Sequence, residues 1–266
     1  MILKTPAIVL RMHPFTETSR VVTWLTPAIG RINTLLKGAL RPKSAFLGQV
    51  DLFYTCELLY YAKLTDGLPI ARECTALNAR PALREDWRAC AVASYLCSLL
   101  ARAIPEKASR QDIFDWLDAA LDDAAIHGGS IPVLCWQELH LLKTLGLAPR
   151  LATCRECGGG PDEPNVPFSI AEGSWRCSRC RAGAATPNAI WIAASLLEKL
   201  SGWMSVSSPM VARTTRLSFE QRAALERFAG LFLAHHLDIS PAPRAAALDI
   251  LSRRPPRPVD RIGSLR

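Results

Sequence analysis

The chain has 266 residues, 49% of them hydrophobic, and a formal net charge of +8 at pH 7. That is enough apolar material for one large domain or two to three small ones. No apolar run approaches the roughly eighteen residues of a membrane-spanning helix, and Met1-Ile2-Leu3-Lys4-Thr5-Pro6 lacks the order of a secretory signal. Nine cysteines, an odd number in a chain this long, argue against a secreted disulfide scaffold. A cytoplasmic protein with reduced thiols and no membrane partner is expected.

Residues 1–80 read as β structure. Strands are expected at Ala7–Met12, Arg20–Thr26, Arg31–Leu36, Leu52–Tyr61 and Leu68–Cys74, with Asp66-Gly67 as a hairpin turn. Five short strands in that length fit a small closed barrel, either an OB-fold or an SH3-like barrel. Helical periodicity begins after Pro81 and covers Ala82–Ala103. A second helix is expected to open on a capping box, Ser109-Arg110-Gln111-Asp112, and to run to about Ala125. A third lies between Pro132 and Gly146. Residues 189–204 and 218–237 read as two more, the last opened by the capping box Ser218-Phe219-Glu220-Gln221. From Arg253 the sequence is basic and proline-rich and is expected to be disordered. These shifts divide the chain into 1–80, 81–150, 151–185, 186–252 and 253–266.

Two Cys-x-x-Cys pairs, Cys154/Cys157 and Cys177/Cys180, are separated by nineteen residues. Each knuckle can aim two sulfurs at one ion, and the loop lets the knuckles face each other. Four thiolates leave no position for water, so one structural, non-catalytic zinc ion is expected. A redox dithiol would need one such pair at a strand-to-helix junction, not two beside Gly158-Gly159-Gly160.

The charge is uneven: +5 over residues 1–80, −3 over 81–149 and +4 over 241–266. Arg20, Arg31, Lys37, Arg41 and Lys43 gather around the third expected strand, densest in Lys37-Gly38-Ala39-Leu40-Arg41-Pro42-Lys43-Ser44. A loop of cations and free amides can follow a phosphate backbone. Trp24 and Phe46 either stack on bases or fill the barrel core. Asp112, Asp115, Asp118 and Asp122 recur on one expected helix, with Asp123 beside them. They read as a solvated acidic face in preference to a magnesium site, whose ligands must converge from several elements. His13, His235 and His236 have no obvious nucleophile nearby, and no phosphate loop with its lysine is present, so ATP hydrolysis is not expected.

Glu17-Thr18-Ser19-Arg20-Val21-Val22, Leu25-Thr26, Gly30 and Lys37-Gly38-Ala39-x-Arg41-x-Lys43-Ser44 resemble the bacterial RecO family of DNA-repair proteins. So does Glu138-Leu139-His140-Leu141-Leu142-Lys143-Thr144-Leu145-Gly146-Leu147-Ala148-Pro149, running into Cys154-x-x-Cys157-Gly158. The resemblance spans about residues 1–250. It implies an α+β protein: an N-terminal five-stranded OB-fold, then a helical domain with an inserted four-cysteine zinc finger. It implies a non-enzymatic, nucleoid-associated recombination mediator that binds single- and double-stranded DNA and anneals complementary strands. The implied partners are RecR and the single-stranded DNA-binding protein, and the implied outcome is loading of RecA onto coated DNA. The Lys37–Ser44 segment matches the family's basic barrel loop, whereas Pro241-Ala242-Pro243-Arg244 stands where a more basic segment often follows the last long helix. The alternatives are a zinc-containing nuclease that uses the aspartate helix, and a protein-interaction scaffold.

Overall fold

The computed structural model describes residues 1–62, 67–106, 108–181 and 189–253. The expected turn at Asp66 and the basic tail beyond Arg253 therefore lie outside the described residues. Strands β1 (Ile2–Pro14), β2 (Arg20–Thr26), β3 (Gly30–Leu36), β4 (Thr55–Tyr61) and β5 (Ile70–Asn78) close into a barrel of order β1-β2-β3-β5-β4. This is the OB-fold order. One long first strand serves two neighbours: Ile2–Ile8 pairs with β4, and Ile8–Pro14 pairs with β2 beyond a bulge between Val9 and Arg11. The barrel shuts where Leu35 of β3 meets Ile70 of β5 in parallel, with Leu35 N–H donating to Pro69 O at 2.8 Å.

The unbroken apolar run Ala7–Leu10 has a physical reason. Side chains alternate across a strand, and both faces of β1 are buried here. Ala7 and Val9 enter the barrel core with Trp24, Ile32, Leu36 and Leu58. Ile8 and Leu10 point the other way, with Leu25 and Phe53, into the core of the helical body. Trp24 is fully buried and donates its indole N–H to Thr34 Oγ1 at 2.8 Å, and Phe46 is also buried. Both aromatics belong to the core, so neither is a base-stacking surface.

The helical body follows as α1 (Ala82–Glu85), α2 (Trp87–Ala103), α3 (Gln111–His127) and α4 (Ile131–Thr144). The capping box expected at Ser109 does not form. The N-cap falls one residue later at Arg110, which makes no side-chain cap, and the Ser109 hydroxyl donates to Pro27 O of the barrel. Strands β6 (Asn165–Ser169), β7 (Ser174–Trp175) and β8 (Ile190–Ala193), with the short helix α5 (Ser178–Arg181), form the cysteine-bearing module. Strand β8 corrects the helix expected from residue 189: Ile190–Ala193 pairs with β6, and the helix α6 (Ala194–Ser205) begins only afterwards. Helices α7 (Met210–Thr214), α8 (Phe219–Leu237) and α9 (Ala242–Ser252) complete the body. The Ser218–Gln221 capping box is present, with both reciprocal bonds made. Phe168 of β6 packs edge-on against Phe228 of α8, with ring centroids 5.1 Å apart, and ties the module to the body.

Two arginines hold the parts together. Arg80, buried at the end of the barrel, donates to Phe53 O and Thr55 Oγ1 and pairs with Asp118 and Asp122 of α3 at 2.6 Å. Arg244 of α9 is buried and grips the fully buried Glu138 of α4 through both carboxylate oxygens, at 2.7 and 3.0 Å. The same carboxylate accepts from Tyr95 of α2 at 2.7 Å. Burial is the largest single influence on Arg244 and lowers its pKa, but the charge and hydrogen bonds of Glu138, with Cys135 and Tyr95, together raise it above the usual value. Gly230 of α8 leaves the room, since a Cβ there would come within 2.9 Å of Arg244 Nη1.

Candidate nucleic-acid interface and metal centre

The four cysteine sulfurs all lie within 4.8 Å of one another, and Cys157 Sγ and Cys177 Sγ are 3.7 Å apart. A tetrahedral zinc ion with bonds of about 2.3 Å would hold its sulfurs about 3.8 Å apart, so the cluster fits that ion. Each knuckle is built by its own backbone. Gly158 N–H donates to Cys154 O, and Cys154 N–H donates to Gly159 O, which closes the first turn with Gly158 at φ +72°. The second knuckle leads into α5, whose first N–H and hydroxyl, both of Ser178, donate to Asp162. Burial opposes ionisation of Cys154, yet N–H groups of Cys157, Cys177 and Glu156 prevail and bring that thiol down to about 6. Hydrogen bonding with the Cys177 and Cys157 sulfurs pushes Cys180 up to about 12. A cation bound here would be held by all four sulfurs as thiolates, so its binding would release the thiol protons.

On the barrel, β3 leads into the loop that carries Lys37, Arg41 and Lys43. All three are exposed, and none has an ion-pair partner among the described residues. The loop is ordered by its own turns, with Arg41 N–H donating to Gly38 O and Ser44 N–H to Arg41 O. It is also fixed to the neighbouring β1–β2 turn: Leu40 N–H donates to Thr18 O at 2.9 Å, and Gly38 N–H to Ser19 Oγ. Arg20 stands half-buried at the root of that turn, paired in register with Pro14 and Leu36. The structure therefore brings Arg20, Lys37, Arg41 and Lys43 to one end of the barrel.

Arg31 is put to another use. Its Nε donates to Ile104 O at 2.9 Å, and its Nη1 lies 3.4 Å from Glu106. It closes the seam between barrel and helices and is not a free cation. The aspartates of α3 are not a freely solvated face either. Asp118 and Asp122 hold Arg80, Asp123 holds Arg213 at 2.6 Å, and Asp112 holds Arg110 at 2.8 Å. Sequence reasoning also passed over Phe15, which stands 58% exposed in the β1–β2 turn. An aromatic flanked by Pro14 and Thr16 between two strands was the available signal.

A five-stranded OB-fold, a helical body and an inserted module whose four cysteines could hold a metal ion define the architecture of the protein. The family described as Recombination protein O N terminal matches residues 1–80, and that described as Recombination protein O C terminal matches residues 84–245. The chain belongs to the RecO family of DNA-repair proteins. It is 30% identical over 241 residues to the DNA repair protein RecO of Anaeromyxobacter dehalogenans, covering 88% of this chain and 91% of that one. It is 25% identical over 239 residues to the DNA repair protein RecO of Syntrophus aciditrophicus, covering 88% and 92%. The protein of the same name from Desulforudis audaxviator is 32% identical over 178 residues, 67% of this chain and 70% of that one. Among the described residues no helix is long and apolar enough to cross a membrane.

Proposed function

We propose that this protein is a recombination mediator that binds single- and double-stranded DNA at the basic end of its barrel and anneals complementary strands without covalent chemistry. The observation that carries this reading is the set of exposed, unpaired cations Lys37, Arg41 and Lys43, fixed beside the β1–β2 turn of an OB-fold. Two strands repel through their phosphates. Cations along one rigid edge neutralise part of that charge, so a strand held there meets its complement at lower electrostatic cost. Arg20 adds to the same end, while Arg31 serves the seam. The nuclease reading loses its support because Asp112, Asp118, Asp122 and Asp123 are all engaged by arginines.

Cys154, Cys157, Cys177 and Cys180 would hold one zinc ion, whose role is to lock the two knuckles together against α8. Elemental analysis of purified, reduced protein should give about one zinc per chain, and Cys177→Ser should abolish it. Metal at background level in the unsubstituted protein would remove this part of the reading. The helical body offers a protein partner an apolar hollow of about 420 Å³ lined by Trp116, Trp136, His140 and Met210. The indole N–H groups of Trp116 and Trp136 are buried there without an acceptor among the described residues. RecR and the single-stranded DNA-binding protein are the partners this reading assigns, with RecA loading downstream and the cytoplasmic chromosome as the place of action.

The direct test is annealing of two complementary oligonucleotides coated with the cognate single-stranded DNA-binding protein, followed by fluorescence quenching at two salt concentrations. Faster annealing that fades with salt supports the mediator reading. No acceleration at either salt, with metal present, would favour the interaction scaffold instead.

A further inference from the structure

We infer that Phe15 forms a stacking subsite for an unpaired nucleobase, which makes the basic end of the barrel prefer single strands. This rests on the nucleic-acid reading above and adds a ligand class to it. The aromatics inside the barrel cannot do this work, since Trp24 and Phe46 are buried. Phe15 is 58% exposed, and Leu40, whose N–H is bonded to the same turn, is also apolar and open at 42%.

The position is built, not frayed. Phe15 N–H and Thr16 N–H both donate to Ser19 O, which draws the turn tight around residues 15–19. Thr18 O then accepts from Leu40 N–H, so the turn bearing Phe15 is fastened to the loop bearing Lys37, Arg41 and Lys43. Exposing a phenyl ring to water is unfavourable, and among the described residues more than half of this one stays open. Glu17 is the one acid in the turn, whereas Arg20 stands at the turn's root and Lys37, Arg41 and Lys43 lie on the loop fastened to it.

An aromatic ring beside free cations is the combination that single-stranded nucleic acid selects. The cations take the backbone, and the ring takes the face of a base, whichever base it is. In a duplex both faces of each internal base are already stacked, so the ring has nothing to gain. Phe15 therefore adds affinity for single strands only, and the base it holds is given up as the strand pairs.

The test uses full-length, metal-replete protein and fluorescence anisotropy on three probes. These are a mixed-sequence single strand, the same strand with its central bases replaced by abasic residues, and the duplex. Phe15→Ala should weaken binding to the intact single strand about tenfold and leave the abasic strand and the duplex unchanged. Phe15→Trp should retain full affinity. Equal loss on all three probes, or none on the intact strand, overturns the proposal. Arg41→Ala with Lys43→Ala separates the two ideas, because it should weaken all three probes. If that pair weakens binding while Phe15→Ala does nothing, the basic end stands and the stacking subsite falls. If neither matters, both fall.

Discussion

At the seam and within the helical body, Arg80, Arg213 and Arg244 each end on a carboxylate of another element. At the far end of the barrel, Lys37, Arg41 and Lys43 end in solvent. The same residue types thus do opposite work. The inner set is costly to bury and is kept because each charge is matched by hydrogen-bonded partners. The outer set costs nothing to hold and contributes nothing to the fold, which leaves it free for an external polyanion. Net charge alone, +8 for the chain, does not separate the two groups.

The comparison breaks most visibly at Arg244. Replacing it with alanine leaves Glu138 charged and fully buried with only Tyr95 beside it, which should cost about 3–5 kcal/mol of stability. Chemical denaturation reads that directly. DNA affinity of the folded fraction should not change, and a large affinity loss would mean that the inner arginines also serve DNA. Arg80→Met should cost less, about 2–3 kcal/mol. Its aspartates are more than a third exposed and water can receive them, so the loss falls on the buried Phe53 carbonyl and Thr55 hydroxyl. A smaller chevron or calorimetric change than for any exposed lysine would contradict the division drawn here.

The smallest effect expected is at His140 of α4, which stacks on Trp136 at 3.7 Å and lies 3.0 Å from Trp203 O through Nε2. Burial, the main cause, holds its pKa below the ordinary value of 6.5, with Lys143 adding to the effect. The unfolded chain takes up a proton near pH 6.5 more readily than the native one, so stability rises with pH in this window. It should be complete above pH 6.5 and decline as pH falls toward the native pKa. Urea midpoints at pH 7.5 and 5.5 should differ less for His140→Gln than for the unsubstituted protein.

Much of this was legible in the sequence, and the parts that were not share a cause. The cysteine cluster was readable because its geometry is local: two x-x spacings set the knuckles, and folding has only to bring them together. The barrel strands were readable from alternation and turn residues, although β1 extends well beyond Ala7–Met12 because it pairs on both sides. Helix α9 was not readable. Pro241-Ala242-Pro243 looks like a turn, and the helix is held by an ion pair to a residue 106 positions away. Ser109 gave a false cap because the turn against the barrel, where Arg110 N–H and the Ser109 hydroxyl both donate to Pro27 O, shifts the N-cap to Arg110. Ile190–Ala193 became strand because β6 offered it an edge. Arg31 and Arg41 look alike in sequence, and only the tertiary position of Glu106 and Ile104 tells them apart.

The most direct test of the division between inner and outer charges is the salt dependence of single-strand binding. Anisotropy titrations would be run over a salt series for the unsubstituted protein and for Arg41→Ala with Lys43→Ala. Two lost phosphate contacts should make the slope of log affinity against log salt shallower by about 1.4, with the melting temperature unchanged. An identical slope and affinity in the two proteins would contradict the account and place the nucleic-acid surface elsewhere on the molecule.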